Sequence, residues 1–372
     1  MIYKGRGKKE DTKQLMEMLD NVFFLEDEEA TRRDFLSLLP KLYKEKYNPA
    51  YNNVIVKEGD EIKAAVGCYP LEVNAAGRKL KVMGIGNVAV ARDSRRKGYM
   101  VECMNMALNI MKEDDFDYSL LGGQRQRYGY FGYEPIGAEQ RFSINKANIT
   151  RIMGADAKTT FTAKEVTQDD TETVEKIVAL YKSLPYFMNR NSENCIDVLK
   201  SWNATPYAAF ENGEFKGYFA VDGGNGINEI KPVNVDDMMN LILCAMSVNG
   251  KEDINFNAPV FDTALCDYMI KICSGVSSSQ VDMINVLNFG RFIEAFLAIK
   301  AERMNLCSGT LNVLIHGFKC DENLEITVDG KNVTVKETDA NPDIELDHHR
   351  AIDFIGGIYS KDRNSLPAFA QG

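Results

Sequence analysis

The sequence predicts an α/β (α+β) fold built from several units in which helices and strands alternate. An amphipathic helical pattern over Asp11–Phe24 precedes a hairpin pattern centred on Glu58-Gly59-Asp60. The same order of helix-rich stretch, strand, turn and strand returns roughly 150 residues later. A chain of 372 residues also has room for roughly two to three domains. The pattern therefore indicates two similar α/β units in tandem.

The N-terminal helix is predicted from an apolar stripe with three- and four-residue spacing, formed by Leu15, Met18, Leu19, Val22 and Phe23. An acidic cluster at residues 26–29 follows, and a second helical pattern runs from Arg33 to Tyr43. Carboxylates are favoured at the positive end of a helix dipole, so the cluster is typical of a solvated helix start. The alternative interpretation is an acidic wall that attracts a cationic substrate.

Three hairpin patterns and their neighbouring helices organise the chain. The predicted hairpins pair Asn53–Val56 with Ile62–Gly67, Tyr207–Phe210 with Phe215–Phe219, and Leu324–Val328 with Val333–Val335. The predicted helices that flank them cover Asp170–Leu184, Arg291–Lys300 and His349–Ile358. The pattern changes near residues 150 and 285, which predicts three units at 1–150, 151–285 and 286–372.

Composition excludes several classes of function. A formal charge of −10 and a pI near 5.1 argue against a nucleic-acid or anionic-membrane binder. No apolar stretch approaches the ~20 residues of a membrane span. The eight cysteines form no Cys-x-x-Cys pair and no signal peptide opens the chain, so we expect a cytoplasmic location. The three histidines lie in the last sixth without metal-ligand spacing, which makes a metal site or a histidine triad unexpected.

The stretch from Ile85 to Met100 carries the strongest chemical signal, because a strand, a basic glycine-containing turn and a helix follow one another. The first turn of a helix has amide N–H groups without partners, and these bind phosphate oxygens. Gly98 allows close backbone approach, and Arg92, Arg95, Arg96 and Lys97 concentrate positive charge beside it. A pyrophosphate is the simplest ligand for this turn. A solvated basic helix cap is the alternative.

A second stretch, Tyr118–Pro135, combines a strand with the aromatic, glycine-rich segment Tyr128-Gly-Tyr-Phe-Gly-Tyr133. Together the two stretches resemble the GNAT N-acetyltransferases, whose R/Q-x-x-G-x-G/A turn binds the pyrophosphate of acetyl-CoA. Arg-Arg-Lys-Gly-Tyr-Met is similar to the Arg-Arg-Arg-Gly-Leu-Leu of the Eis-like (enhanced intracellular survival) branch. Met100 stands where most GNAT proteins have glycine or alanine, a departure that this branch shares.

The resemblance implies a three-part architecture. Residues 1–150 would form a catalytic GNAT domain, and residues 151–285 a second GNAT-like domain without the cofactor turn, each with a mixed central sheet. Residues 286–372 would form a sterol-carrier-protein-like α+β domain. The resemblance also implies a groove for acetyl-CoA, formed by Val88, Ala89, Val90, Arg95, Arg96, Lys97, Gly98, Tyr99, Met100, Val101, Gly123 and Gln124.

The same resemblance assigns catalytic roles. Tyr128 would be the general acid, since a tyrosine phenol is ordinarily protonated at neutral pH and can donate to the departing thiolate. The α-carboxylate of Gly372 would be the base, with a water chain or a carboxylate of the acidic cluster as the alternative. Glu26, Asp27 and Glu28 would face a cationic amine acceptor: an aminoglycoside-like compound, a polyamine or a lysine side chain.

The resemblance further implies a homo-oligomer, commonly a hexamer. The competing interpretation is a protein without catalysis that senses acyl-CoA or holds a lipid in its C-terminal unit. Retention of both Tyr128 and the basic turn favours the enzyme.

Overall fold

The computed structural model describes residues 1–28, 32–154 and 156–356, and it confirms the α/β class with mixed sheets. The strands are β1 (Ile2–Arg6), β2 (Asn53–Glu58), β3 (Glu61–Ala75), β4 (Arg78–Val90), β5 (Tyr118–Leu121), β6 (Glu134–Asn145), β7 (Thr162–Glu165), β8 (Tyr186–Met188), β9 (Thr205–Glu211), β10 (Glu214–Val221), β11 (Gly226–Pro232), β12 (Asp253–Pro259), β13 (Gly275–Val286), β14 (Gly309–His316), β15 (Asp321–Asp329), β16 (Asn332–Glu337) and β17 (Ile344–Asp347).

The helices alternate with these strands along the chain. They are α1 (Thr12–Phe24), α2 (Phe35–Leu38), α3 (Pro40–Tyr43), α4 (Tyr99–Glu113), α5 (Arg125–Tyr128), α6 (Lys146–Met153), α7 (Thr171–Tyr181), α8 (Cys195–Leu199), α9 (Met238–Asn249), α10 (Thr263–Ile272), α11 (Phe289–Arg303) and α12 (His348–Gly356). No helix in the described ranges is long and apolar enough to span a membrane.

The chain divides into two compact units, neither of which is continuous in sequence. Unit 1 contains Met1–Leu36, Leu42–Gly137 and the described residues from Asp282 onward, whereas unit 2 contains Ser37–Lys41 and Ala138–Val281. Within unit 1, residues 309–347 form a sheet of their own with the strand order β16-β15-β14-β17. The three-domain division at 1–150, 151–285 and 286–372 stays a prediction.

Unit 1 is organised around a mixed sheet in the order β1-β2-β3-β4-β5, which ends on the last residues of β13. Within this sheet β4 and β5 pair in parallel, through Val82–Ile85 and Tyr118–Leu121. Helix α4 packs on β2 and β3, and its buried Cys103, Met104 and Ala107 contribute to the core beneath the sheet. The apolar stripe of α4 thus fixes where its N-terminus lies.

Unit 2 repeats this plan with the order β6-β12-β11-β10-β9-β7. Its parallel pair is β11 with β12. Helix α9 packs on β10 and β11 and is apolar around most of its circumference, with seven of its twelve residues buried. A helix that is hydrophobic on nearly every side belongs inside a core.

The structure confirms most predicted elements. The helix at 11–24 is α1, and the three hairpins are β2–β3, β9–β10 and β15–β16, with left-handed glycines in their turns at Gly59, Gly213 and Gly330. The continuous helix expected from Arg33 to Tyr43 is wrong, because the segment forms α2 and α3 separated at Leu39. Pro40 explains the break, since proline disfavours a helical conformation in the preceding residue but suits the first turn of a new helix.

Candidate active site

The parallel strands of unit 1 separate at one end and leave an open strand edge. Pairing between β4 and β5 stops at Ile85 and Leu121, yet β4 continues to Val90 with β3 on its other side. Among the described residues, no strand pairs with the β5-facing edge of Val88–Val90. Free backbone N–H and C=O groups of this kind can pair with an extended ligand as an added strand would.

The chain leaves β4 through a turn that prepares an anion site. A 3₁₀ helix at Arg92–Ser94 leads to Arg96 and Gly98, which have positive φ angles of 68° and 85°. Gly98 is the N-cap of α4 and provides no side chain to occupy the first amides of that helix. The backbone N–H groups of Tyr99, Met100 and Val101 are therefore available for a phosphate, as the sequence predicts.

The four basic side chains of the turn have different roles. Lys97 Nζ lies 2.8 Å from Glu58 Oε1, and Arg92 lies 3.2 Å from Glu26 Oε1. Arg95 and Arg96 are exposed and form no ion pair with any residue that the structure describes. The guanidinium groups next to Gly98 thus carry the uncompensated positive charge, whereas Lys97 and Arg92 hold the turn in place.

Glu58 is the main anchor of the turn. Besides Lys97, it accepts a hydrogen bond from the Tyr99 hydroxyl. Hydrogen bonds from Lys97 and then Tyr99 lower the pKa of the Glu58 carboxyl. Sequence reasoning missed this residue, because 39 positions separate it from Lys97 and the hairpin pattern gives no sign of the contact.

A second ion pair ties the start of the turn to β3. Lys63 Nζ lies 2.8 Å from Asp93 Oδ2, and this contact, together with Glu61, raises the pKa of Lys63. Asp93 has a lowered pKa for the same reason. Ion pairs near the surface add little to stability, so we assign this pair a role in orienting the turn.

Tyr128 lies at the end of α5 with only 6% of its surface exposed. Its hydroxyl forms no hydrogen bond with the described part of the chain. Gly123, at φ +153°, packs under the ring, and a Cβ there would lie 2.8 Å from Tyr128 Cε2. The Gln124 carbonyl accepts the Tyr128 N–H at 3.2 Å. The structure therefore brings together Tyr128, Gly123 and Gln124, three residues that the sequence predicts for one site.

The turn after Tyr128 is held by contacts from α12. His348 Nε2 donates to the Gly132 carbonyl at 2.9 Å, and His348 Nδ1 accepts the Phe318 N–H at 3.1 Å. These two partners require the neutral tautomer with its proton on Nε2. Burial lowers the pKa of His348 to about 4.

Glu134 links α5 and α12 from the other side of this turn. Its carboxylate accepts from the Arg125 guanidinium at 2.8 and 2.5 Å and lies 2.7 Å from His349 Nδ1. The side chain of Glu134 is largely buried, with 9% of its surface exposed. Helix α12 is thus fixed against the segment that carries Tyr128.

The acidic cluster differs from the uniform wall that the sequence suggests. Asp27 binds the Arg33 guanidinium through both oxygens, at 2.9 and 3.0 Å, and Arg33 lowers its pKa. Glu26 pairs with Arg92, and Glu28 is exposed. The carboxylates of Glu26 and Asp27 therefore already have arginine partners, and Glu28 also has an interaction within the chain. Gly372, the predicted base, lies outside the described residues.

A comparison with protein families gives the first independent evidence on this site. Residues 6–136 match the model of the acetyltransferase (GNAT) domain. This range contains β4, the basic turn, α4 and Tyr128. No curated protein matches the chain by sequence.

Solved structures show that the likeness in fold extends along the chain. A GCN5-related N-acetyltransferase from Kribbella flavida has a TM-score of 0.69 and 14% identity, with 100% of this chain and 97% of that chain covered. An Enterococcus faecalis protein described as a probable N-acyltransferase has a TM-score of 0.68 and 16% identity over 94% and 88% of the two chains. Eis1 from Mycobacterium abscessus has a TM-score of 0.63 and 11% identity over 97% and 90%.

These findings fix the enzyme class. The domain at residues 6–136 is a GNAT acetyltransferase domain, a type that uses acetyl-CoA as co-substrate, and the protein is an acyltransferase. A domain of this type implies a small-molecule acceptor.

Proposed function

We propose that this protein transfers the acetyl group of acetyl-CoA to a cationic amine, with Tyr128 as the general acid. One observation carries the proposal: three features follow one another along the first unit. They are an edge of β4 that no described strand covers, the N-terminus of α4 with two arginines that form no ion pair in the described chain, and the buried Tyr128. The strand edge could pair with the amides of pantetheine, and the helix N-terminus could bind the pyrophosphate. The tyrosine could donate a proton to the departing thiolate.

In this reaction the cofactor would lie along Val88, Ala89 and Val90, whose amides would pair with the pantetheine arm. The backbone from Gly98 to Val101 would bind the pyrophosphate, with Arg95 and Arg96 adding charge at its rim. Lys97 and Tyr99 would act through Glu58 by keeping the turn in shape. Gly123 and Gln124 would close the groove beside the thioester.

The chemistry requires three events. The neutral amine attacks the thioester carbonyl carbon, the C–S bond breaks, and the thiolate takes the proton of Tyr128 Oη. The amine proton passes to a base, and we propose the α-carboxylate of Gly372 for this role. In support, His348 and His349 at the start of α12, the last helix that the structure describes, contact Gly132 and Glu134 in the segment that follows Tyr128. Extending the chain beyond Gly372 should then reduce turnover, whereas full activity would point to water.

A cationic acceptor is supported by the charge of the molecule. The formal net charge is −10, which attracts polycations over the range of electrostatic steering. Glu26 and Asp27 already bind arginines and Glu28 also has an interaction within the chain, so a polycation would compete with these contacts or respond to the overall negative field. We propose as acceptors aminoglycoside-like compounds, polyamines and lysine side chains. The homo-oligomer, the cytoplasmic location and the sterol-carrier-like C-terminal domain also stay proposals.

The deciding experiment measures free thiol released from acetyl-CoA across classes of amine, with wild-type protein and Tyr128→Phe side by side. The variant loses the acid but keeps the ring that packs on Gly123. Turnover should fall on the order of 100-fold while acetyl-CoA affinity stays unchanged. Equal turnover would remove Tyr128 from the mechanism. Thermal stabilisation by acetyl-CoA without any thiol release would instead favour a sensor.

A further inference from the structure

A buried polar network lies directly beneath the strand edge proposed for pantetheine. Opposite Val66 of β3, strand β4 contains two residues, Asn87 and Val88, because the register shifts from Ala65↔Ala89 to Gly67↔Gly86. Two residues facing one define a β-bulge, which bends a strand and redirects its side chains. The bulge occurs two residues after the last pair with β5, where the two strands separate.

Both the oxygen and the nitrogen of the Asn87 side-chain amide form hydrogen bonds. Its Oδ1 accepts from the Tyr69 hydroxyl at 2.6 Å and from the Tyr43 hydroxyl at 3.0 Å. Its Nδ2 donates to Asn53 Oδ1 at 2.8 Å, and Asn53 in turn donates to the Pro49 carbonyl at 2.8 Å. Burial raises the pKa of both tyrosines, so both hydroxyls keep their protons and act as donors.

The backbone around this network is held under strain. Asn87 has a φ of +38°, in the region that residues other than glycine rarely adopt. Gly67 on β3 is required next to it, because a Cβ there would lie 2.2 Å from Asn87 Oδ1 and 2.5 Å from the Tyr69 ring. Strain of this kind persists only where surrounding bonds fix it, and it concentrates at functional sites.

We propose that Asn87 is a positioning residue for acetyl-CoA: through Tyr69, Tyr43 and Asn53 it locks the bulge that turns the amides of Val88–Val90 toward the groove. Asn87 itself need not contact the cofactor. The inference rests on the proposed function, since it assigns to one side chain the shape of the strand edge that would bind pantetheine.

The test compares CoA affinity by titration calorimetry with KM for acetyl-CoA and kcat from thiol release. Asn87→Ala removes all three hydrogen bonds and should weaken CoA binding and raise KM at least 10-fold, with kcat at saturating acetyl-CoA within about 3-fold of wild type. Asn87→Asp keeps an acceptor for both hydroxyls and should recover part of the affinity. Tyr69→Phe, which deletes one hydroxyl oxygen, should also weaken CoA binding and raise KM with little change in kcat, but by a smaller factor.

A matched control is Tyr218→Phe, which also removes a buried hydroxyl bonded to a side chain on a splayed strand, but in unit 2. It should leave CoA affinity unchanged. If Asn87→Ala does not fold, Tyr69→Phe and Tyr43→Phe decide the question. Wild-type affinity in the folded variants, or a fall in kcat without a change in KM, would overturn the role of Asn87. Absence of CoA binding by the wild-type protein would instead overturn the proposed function.

Discussion

Units 1 and 2 both contain a parallel strand pair that separates ahead of a helix, but the turns before the two helices have opposite charge. In each, two parallel strands separate after a short register: β4 leaves β5 after Ile85, and β11 leaves β12 after Ile227. In each, the first strand of the pair, β4 or β11, leads through a 3₁₀ turn into a helix, α4 or α9. The scaffold that makes a cofactor groove is therefore present twice.

The turns decide which copy can bind an anion. The turn before α4 contains Arg95 and Arg96 without ion-pair partners in the described chain, whereas the turn before α9 contains Asp236 and Asp237. In unit 2 the Asn234 side chain also occupies the Asp236 N–H. Two carboxylates at a helix N-terminus repel phosphate, whereas arginines there attract it. In the function proposed here, a few residues at one turn, rather than the fold, determine which unit binds the cofactor.

The splayed strands also differ in what lies beneath them. Both receive a tyrosine hydroxyl from the preceding strand, from Tyr69 to Asn87 in unit 1 and from Tyr218 to Glu229 in unit 2. Glu229 additionally forms a two-oxygen ion pair with Arg190 at 2.6 and 2.8 Å, and Arg190 is only 4% exposed. Burial alone would raise the pKa of Glu229, but the Arg190 pair outweighs it and the pKa is lowered. In unit 2 the position that corresponds to Asn87 is thus occupied by a buried ion pair, to which we assign a structural role.

Breaking the buried pair of unit 2 should give the largest effect. Arg190→Met leaves the Glu229 carboxylate buried without its partner, which should cost about 3–5 kcal/mol of unfolding free energy in urea titrations. CoA affinity of the protein that stays folded should not change. The double variant Arg190→Met/Glu229→Leu should recover most of the loss, since an apolar pair replaces the ion pair. A single variant as stable as wild type would contradict a structural role.

Reversing the charge of the two turns tests the comparison directly. Arg95→Glu with Arg96→Glu should weaken CoA binding on the order of 100-fold in calorimetry, equivalent to about 2.7 kcal/mol, and should flatten its salt dependence. The matched control, Asp236→Lys with Asp237→Lys, makes the unit 2 turn basic and should leave affinity within about 2-fold. Equal losses in both pairs would show a general effect of net charge instead of a site.

Acid should weaken the contact between His348 and the turn that follows Tyr128. His348 binds protons more weakly folded than unfolded, because its pKa falls from 6.5 to about 4. Its contribution is complete above pH 6.5 and is lost as the pH falls toward 4, about 2 kcal/mol between pH 7.5 and pH 5. Urea titrations at both pH values should show a smaller acid loss for His348→Gln.

His316 provides the control of opposite sign for this measurement. Hydrogen bonds that His316 donates to Glu345 and then to Asp321 raise its pKa, so its contribution is lost as the pH rises. His316→Gln should therefore leave the loss between pH 7.5 and pH 5 at least as large as in wild type. An identical acid loss in His348→Gln and wild type would show that His348 does not titrate on unfolding.

Local patterns in the sequence predict much of this fold and part of the site. The helical stripe of α1, the glycine turns of the hairpins and the strand, basic turn and helix at Ile85–Met100 depend on neighbours within a few residues. Tyr128 and Gly123 meet because only a short helix separates them. These features are encoded where they occur.

Contacts between distant residues escaped prediction. Glu58 as partner of Lys97, Arg92 as partner of Glu26, and the bonds of Tyr43 and Tyr69 to Asn87 join elements that only the sheet brings together. The sequence gives no sign that Asn87 differs from an ordinary strand residue, because the bulge at Asn87 depends on Gly67 of the neighbouring strand. The long hairpin of β3 and β4 also lacks strict alternation, since both of its faces are partly buried.

Because unit 1 is discontinuous in sequence, its sheet cannot be completed until late in synthesis on the ribosome. The exposed edge of β5 is covered by Met283–Val286, which are translated more than 160 residues after Leu121. The intervening stretch Ala138–Val281 supplies nearly all of unit 2 and can collapse first. The catalytic half therefore closes last, and a fragment that stops at residue 136 would present an unpaired strand and tend to aggregate.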